Sequence, residues 1–254
     1  DAANYRPVAL TAVLCKVMEK IIRDKMVEYL ERNELLSKHQ HGFTRKRSCL
    51  TNLLETFEEW TRALDDGYGV EAVYLDYRKA FDTVPTKRLM EKVRQFGFDG
   101  KVLAWIENFL KERKTRVCVR GSYSMWRDVL SGVPQGSVLG PILFLLFVND
   151  LPDWMGGNIK MFADDTKVWK IIRSSEDQKE LQEDLNRLMS WTDKWLLKLN
   201  TEKCKVMHIG HQLATKYQLK GSDGTVELKE SVEERDLGVQ VTSHQRHEKY
   251  ITVQ

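Results

Sequence analysis

Three aspartates in two short segments are the residues of this sequence best suited to bind metal ions. Asp164 and Asp165 are adjacent and lie between the apolar stretches 161–163 and 168–172, and Asp76 follows the apolar stretch 70–75. An Asp-Asp pair at a turn is usually only solvated turn chemistry, because two like charges repel and gain nothing from burial. With Asp76 as a third carboxylate and phosphate-binding groups elsewhere, the pair would instead form a metal-binding centre.

Cations that could bind phosphate, among them Arg45, are concentrated in the segment 38–48, which also contains Gly42. A run of charges is most often a solvated loop. Beside a metal site bound by carboxylates it would also suit a triphosphate, because a guanidinium group offers planar, forked donors to phosphate oxygens. The sequence leaves both interpretations open.

Two other segments place unusual residues in polar surroundings. In the loop 131–137, Gln135 lies among glycines, which let a backbone pass close to a ligand while the amide presents a donor and an acceptor. Phe81 stands among polar residues after Asp76. Its residue type alone favours a role as a core anchor for the turn that follows the strand ending before Asp76.

Apolar residues at helical spacing predict the elements that must position these groups. Helices are expected near 13–30, 50–64, 89–96, 102–110, 142–148 and 181–195, and strands at 70–75 and 204–209. The acidic pair is expected at the tip of a strand-turn-strand hairpin. A second hairpin is expected from 115–120 and 123–130, joined at Gly121 and Ser122. Its basic residues fit either a nucleic-acid backbone contact or an edge strand protected by charge.

Composition narrows the class of protein. The chain has 254 residues, 42% of them hydrophobic, and a net charge of +3, so it can bury a sizeable core and is only mildly basic. Its four cysteines are scattered singly, a pattern that suggests neither a zinc site nor a disulfide framework and fits a reducing compartment. The longest apolar run, 142–148, is too short to span a bilayer. We expect no membrane partner and an intracellular location, nucleus or cytoplasm, without a clear targeting signal.

Six blocks resemble the reverse transcriptases of non-LTR, LINE-type retrotransposons, in particular the jockey-like group. The blocks are HGFTR at 41–45, LDYRKAFD at 75–82, SGVPQGS at 131–137, FADD at 162–165, LNTEK at 199–203 and DLG at 236–238. Each block is weak alone, but six in the family's order and spacing are strong.

The resemblance implies an α+β fold. It implies a polymerase palm, an antiparallel sheet with packed helices, together with a fingers subdomain and a thumb that is missing or truncated. The reverse transcriptase domain is expected over 1–241, with fingers at roughly 1–70 and palm at roughly 71–241. The remaining 242–254 is expected to be a divergent polar tail, with disorder as one expectation.

The implied activity is RNA-directed DNA polymerisation, in which dNTPs are added to a DNA primer 3′-hydroxyl on an RNA template. Asp76, Asp164 and Asp165 would be the catalytic residues and would bind two Mg²⁺ ions, with Mn²⁺ as a substitute. Two ions roughly 3.5–4 Å apart can serve both oxygens of an in-line displacement. Because consecutive strand residues point to opposite faces, Asp164 is expected beside Asp76, with Asp165 as the supporting acid.

The same resemblance assigns five nucleotide-binding residues. Phe81 matches the bulky residue that excludes a ribose 2′-hydroxyl, which favours a steric gate over a core anchor. Arg45 would meet the incoming triphosphate, Gln135 and Gly136 would line the nucleotide pocket, and Lys203 would donate a proton to pyrophosphate. For Arg45 and Lys203, a solvated surface role is an equal alternative.

The sequence departs from the family in two places, and the second departure leads to an alternative function. Lys46 stands where relatives commonly carry glycine, which predicts a different course for the fingers loop. The expected helical thumb is missing after Gly238, so an inactive relic or a co-opted nucleic-acid-binding module is the alternative function. An RNA-templated RNA polymerase is a third interpretation, which Phe81 disfavours.

Overall fold

The structure, a computed structural model, describes residues 8–210, 215–222 and 224–243 and the short strand Thr252–Val253. The helices are α1 (Val13–Arg32), α2 (Cys49–Asp65), α3 (Ala80–Thr83), α4 (Thr86–Gln95), α5 (Gly100–Leu110), α6 (Gly140–Val148) and α7 (Ser175–Trp195), with a 3₁₀ helix at Leu151–Trp154. The predicted helices and the two predicted strands are confirmed within a few residues at their ends.

The strands complete an α+β fold. They are β1 (Gly69–Leu75), β2 (Lys114–Thr115), β3 (Cys118–Val119), β4 (Ser122–Tyr123), β5 (Arg127–Asp128), β6 (Asn158–Phe162), β7 (Asp165–Ile172), β8 (Lys205–Ile209), β9 (Gln218–Gly221), β10 (Gly224–Glu227), β11 (Lys229–Glu230), β12 (Glu233–Asp236), β13 (Val239–Thr242) and β14 (Thr252–Val253). The α+β class expected from the sequence is confirmed.

The chain divides into two compact units, each built from separate stretches of sequence. The helical unit takes the described parts of 1–36, 79–148 and 195–197, and the sheet unit takes those of 37–78, 149–194 and 198–254. These units do not follow a single cut near residue 70. The division into fingers and palm concerns polymerase subdomains rather than compactness, and it stays a prediction.

The sheet unit is organised around β1. A five-stranded sheet has the order β11-β8-β1-β7-β6, in which β1 is antiparallel to both β7 and β8. Trp60 of α2 packs against Trp169 of β7, with ring centroids 6.0 Å apart at 79°, over a buried apolar core that includes Val70 and Ala72. On the other face of β1, Glu71 accepts a hydrogen bond from Gln178 of α7. Because strand residues alternate in direction, α2 and α7 cover opposite faces of the sheet.

The helical unit is organised around α6, whose apolar residues are buried without a polar face. The buried carboxylate of Glu19 accepts hydrogen bonds from the backbone N–H groups of Val138 and Leu139, at 2.7 and 3.0 Å, just before the helix begins. An anion at this position complements the positive end of the helix dipole. Although α6 is strongly apolar, the described part of the chain contains no helix that is both long and apolar enough to cross a membrane.

Most of the predicted tail lies outside the described residues, namely 244–251 and 254. At its edges, Thr242 ends β13 and Thr252–Val253 forms β14, which pairs with β13. The hairpin predicted around Gly121 is present as the short ladders β2–β5 and β3–β4. Its turn is one residue earlier than predicted, at Arg120 and Gly121, because both have the positive φ that a two-residue hairpin loop favours.

Candidate active site

The hairpin formed by β6 and β7 carries the acidic pair, as the sequence predicts. Phe162 pairs with Asp165, which leaves Ala163 and Asp164 as a two-residue loop. Ala163 has φ +56°, a conformation that costs a non-glycine residue about 1–3 kcal/mol and persists only where its surroundings hold it. The two acids therefore have different backbone settings, one in the loop and one at the start of a strand.

The end of β1 brings Asp76 to this hairpin. Leu75 pairs with Thr166, and continuing that antiparallel register by one residue places Asp76 opposite Asp165. Directly opposite residues lie on the same face of a sheet, roughly 4.5–5.5 Å apart at Cβ, and like charges in this position destabilise the pair. A bound cation would offset that repulsion.

The block at 199–203 holds the backbone of Asp76. The N–H of Asn200 donates to the Asp76 carbonyl at 2.7 Å, and the Asp76 N–H lies 3.5 Å from the Cys204 thiol sulfur. Burial raises the pKa of Cys204 to about 11, so this group remains a neutral thiol beside the acids. The contacts fix the position at which Asp76 leaves the sheet.

A polar cavity of about 160 Å³ opens at this point of the sheet unit. Its acidic and basic lining residues are Asp76, Lys160, Asp165, Lys167, Lys203, Glu234, Arg235 and Asp236. Carboxylates and cations thus share one cavity, a composition that suits a metal-bound phosphate better than an apolar ligand.

Two of the cavity cations are held by specific partners. Lys160 and Lys167 lie opposite each other on β6 and β7. Lys160 forms an ion pair with Glu55, and buried Lys167 pairs with Asp236 at 2.6 Å. Burial lowers the pKa of Lys167, and the neighbouring Asp236 opposes that shift. These pairs offset the repulsion of two adjacent lysines and fix the wall of the cavity.

The two neighbouring acids have different positions relative to the cavity. Asp165 lines the cavity together with Asp76, whereas Asp164 is not among the cavity-lining residues. The reason is the register, since Asp164 lies in the loop and Asp165 is the first strand residue. Which of the two binds metal stays a prediction.

Within the described ranges, no three His, Cys, Asp or Glu side chains are arranged to hold a metal ion together. Asp76, Asp164 and Asp165 therefore do not form a preassembled cluster of three ligands. Mg²⁺ does not need one, because it is commonly held by one or two carboxylates together with water and substrate phosphates. The oxygen donors of Asp76 and Asp165, on one face of the sheet, fit such an ion.

The cationic segment lies in the sheet unit with the acids. Arg45 is exposed, Lys203 lines the cavity, and Lys46 has φ +60°, in the left-handed region that glycine adopts most easily. Lysine thus adopts the backbone conformation that the family's glycine would favour. The replacement of glycine does not by itself require a different backbone course.

The other predicted nucleotide-binding residues belong to the helical unit. Phe81 is half-buried and stacks on Phe144 of α6, with ring centroids 4.3 Å apart at 19°. The N–H of Val133 donates to the Phe81 carbonyl at 2.7 Å, and the N–H of Ala9 donates to the Gln135 carbonyl, also at 2.7 Å. The loop that contains Gln135 and Gly136 is therefore attached to the segment that contains Phe81.

Sequence reasoning missed a polar contact under the acidic pair. The buried side chain of Gln40 hydrogen-bonds the backbone of Ala163, and buried Asn52 donates to the Met161 carbonyl at 3.2 Å. Gly42 permits this close packing, because a Cβ atom there would lie 2.4 Å from the Ala163 nitrogen. The HGF block at 41–43 could have drawn attention to the segment, but nothing in its spacing reveals a partner more than a hundred residues away.

Two solved structures have a fold similar to that of this chain. Telomerase from Candida albicans, in complex with a TWJ fragment of telomeric RNA, superposes with a TM-score of 0.58 over 90% of this chain and 38% of that chain, at 12% identity. An apo telomerase from Candida tropicalis gives a TM-score of 0.57 over 90% of this chain and 44% of that chain, at 11% identity. The described fold is thus similar to the fold of these two telomerase structures.

Sequence comparison then gives the family. A family model described as reverse transcriptase (RNA-dependent DNA polymerase) matches residues 1–249, so the chain belongs to the reverse transcriptase family.

Curated relatives refine this assignment. A probable RNA-directed DNA polymerase from transposon BS of Drosophila melanogaster is 32% identical over 209 residues, covering 79% of this chain and 23% of that protein. The polymerase from the mobile element jockey of the same organism is 30% identical over 213 residues, covering 80% of this chain and 23% of that protein. The predicted resemblance to jockey-like elements is confirmed, and the chain spans about a quarter of these relatives' length.

Proposed function

We propose that this chain is the RNA-directed DNA polymerase core of a non-LTR retrotransposon enzyme, which adds dNTPs to a primer 3′-hydroxyl on an RNA template. The observation that carries the proposal is that Asp76 and Asp165 line one cavity, with Asp164 in the adjoining loop. The names of the curated relatives support the reaction, and the telomerase complex with RNA supports an RNA partner.

The acidic residues are proposed to bind two Mg²⁺ ions, which Mn²⁺ can replace. When bound, such ions stabilise the attacking and leaving oxygens of an in-line displacement. Asp76 and Asp165 would hold and orient them from one face of the sheet, and Asp164 would contribute from the loop. No covalent protein nucleophile is needed, since positioning and charge stabilisation suffice for phosphoryl transfer.

Cations near the acids are proposed to bind the triphosphate. Lys203 shares the cavity with Asp76 and Asp165, which supports its role as the proton donor to pyrophosphate. Arg45 would meet the incoming triphosphate, because a guanidinium group binds phosphate oxygens in a bidentate manner.

The segment containing Phe81 is proposed to select the nucleotide. Its ring is stacked on one side and remains part-exposed, which suits a rigid steric gate against a 2′-hydroxyl. Gln135 and Gly136, on the loop attached to that segment, would line the nucleotide pocket.

The subdomain assignment follows from the same proposal. Residues at roughly 1–70 would form the fingers and those at roughly 71–241 the palm, whose sheet carries Asp76 and the acidic hairpin. A thumb is not assigned to this part of the polypeptide.

Primer extension tests the function. A DNA primer annealed to an RNA template, with dNTPs and Mg²⁺, should be extended by the chain. Asp76→Asn should lower the rate by about a hundredfold or more, because a carboxylate ligand is replaced by a neutral amide that binds Mg²⁺ poorly. Asp153→Asn, at an exposed position of the 3₁₀ helix, is the matched control and should leave the rate unchanged. Salt-dependent RNA binding without any extension would favour the non-catalytic alternative.

A further inference from the structure

The side chain of Gln40 holds the turn that carries the acidic pair. It is 2% exposed, and its Oε1 atom accepts hydrogen bonds from the N–H groups of Ala163 and Gly42, at 2.9 and 2.7 Å. Its Nε2 atom donates to the Ala163 carbonyl at 3.5 Å. Both ends of the amide are therefore used on the backbone, and two of the three contacts are with one residue.

These contacts constrain the backbone on both sides of Ala163. The N–H belongs to the peptide group that joins Phe162 to Ala163, and the carbonyl belongs to the group that joins Ala163 to Asp164. Holding both groups fixes the φ and ψ angles of Ala163, including its positive φ of +56°. The direction in which the chain enters Asp164 and Asp165 is then set by Gln40.

Gln40 is itself firmly placed beside the hairpin. The backbone of Gln40 forms a parallel bridge with Met161 of β6. The neighbouring His41 N–H donates to the Met161 carbonyl at 2.8 Å, and the Met161 N–H donates to the His39 carbonyl at 2.9 Å. The segment 39–41 thus extends the sheet at its edge, and these bonds hold the backbone of Gln40 in place beside the hairpin.

We propose that Gln40 is a positioning residue for polymerisation, which orients the acidic pair through the Ala163 turn. The inference rests on the proposed function. The glutamine side chain suits the role because it supplies the acceptor and the donor that Ala163 requires, whereas an apolar side chain of the same length would leave two buried N–H groups unpaired.

The same chain provides a matched control. Gln182 of α7 also uses both ends of its amide on one residue, since its Nε2 donates to the Gln218 carbonyl at 2.7 Å and its Oε1 accepts from the Gln218 N–H at 2.9 Å. The contact lies on α7 and β9, away from the acidic hairpin. Gln182→Met therefore removes the same chemistry without touching the turn.

The test combines amide exchange with kinetics in Gln40→Met, Gln40→Glu and Gln182→Met. Hydrogen exchange of the Ala163 amide, followed by NMR, needs no activity. We expect it to accelerate at least tenfold in Gln40→Met, to be partly restored in Gln40→Glu, which keeps the acceptor, and to be unchanged in Gln182→Met. In primer extension, Gln40→Met should raise the Mg²⁺ concentration for half-maximal rate by about tenfold, as loss of a residue that orients metal ligands does.

The two hypotheses fail in different ways. A wild-type chain that extends no primer contradicts the proposed function, while the exchange of Ala163 still decides whether Gln40 holds the turn. The positioning role would be overturned if Gln40→Met had the same Ala163 exchange rate and the same Mg²⁺ dependence as the wild-type chain. An equal change in Mg²⁺ dependence in Gln182→Met would also overturn it, because the effect would then be one of general stability. If Gln40→Met does not fold, Gln40→Glu decides: an unchanged Mg²⁺ dependence, despite the lost Nε2 contact and the added charge, would also overturn it.

Discussion

The packing of Phe81 is compatible with both of the interpretations that its residue type and its family resemblance suggest. One ring face packs on Phe144, as a core anchor would, and the side chain remains half-buried, as a gate requires. Packing and selection are compatible here, because a ring that discriminates between sugars must not move when a 2′-hydroxyl meets it.

Replacing Phe81 with alanine should therefore change both selectivity and stability. In an active preparation, Phe81→Ala should raise the use of rNTPs relative to dNTPs at least tenfold and lower the free energy of unfolding by about 1–3 kcal/mol through lost packing. Phe109→Ala removes a comparable stacked ring, on Trp105, and should lower stability without changing selectivity. Unchanged discrimination in Phe81→Ala, measured by single-nucleotide incorporation, would refute the gate.

We expect His41, in the HGF block, to make the free energy of unfolding depend on pH. Its Nδ1 lies 2.8 Å from the Thr51 hydroxyl, and burial lowers its pKa from 6.5 to about 4. Between these values the unfolded chain binds a proton that the folded chain does not, so the free energy of unfolding falls as the pH falls from about 6.5 to about 4.

A His41→Gln variant isolates that contribution. Urea unfolding between pH 7 and pH 4 should show a slope for the wild-type chain that exceeds the variant's by up to about 1.4 kcal/mol per pH unit, the value for one proton. The two proteins share every carboxylate, and the one whose titration the substitution changes directly is Glu55, whose Oε2 lies 3.5 Å from His41 Nε2. A His41→Gln, Glu55→Gln double variant compared with Glu55→Gln alone removes that contribution. Parallel stability curves would show that His41 is not buried in its neutral form.

Residue types were enough to identify Asp76, Asp164, Asp165 and Lys203 as candidates, because acids and cations in family blocks are visible in the sequence. Which acid lies opposite Asp76 was not predictable, because that depends on strand register. Gln40 was missed for a related reason: its partner Ala163 is 123 residues away.

At the scale of elements, the loop between α1 and α2 stores strain at Lys46. Its φ of +60° costs an L-residue about 1–2 kcal/mol. Glycine would relieve this strain, but part of the gain would be lost because glycine gives the unfolded chain more conformational freedom.

Lys46→Gly should accordingly raise the free energy of unfolding, by about 0.5–1 kcal/mol. The control is Lys87→Gly, at an exposed position within α4, which should lower it by about 1 kcal/mol because glycine is a poor helix former. Denaturant midpoints of the three proteins give the comparison. A loss of stability in Lys46→Gly equal to that of the control would mean that the loop is not strained at this position.

Periodicity located the helices well but not their surroundings. The apolar positions of α1 predicted a core-facing helix, yet Leu14 and Val17 are 82% and 52% exposed, whereas Met26 and Leu30 are buried. Spacing reports which residues share a helix face, but it does not report what covers that face.

At the scale of the whole molecule, chain order and compact units differ. The sheet unit collects three separate stretches of sequence, and its central pairing joins β1 to β7 and β8 across many residues. Such long-range pairing cannot be read from a single sequence by composition or periodicity. The resemblance supplied the α+β class, because the order of family blocks records an arrangement that local patterns do not.

In the proposed function, the acids at the end of β1 and on the β6–β7 hairpin catalyse nucleotide addition. The most direct measurement is the rate of single-dNTP addition to a primer on RNA in Mg²⁺, for the wild-type chain and Asp165→Asn. Asp165 lines the same cavity as Asp76, so we expect extension by the wild type and a loss of about a hundredfold or more in the variant. Equal rates in the two proteins would contradict it.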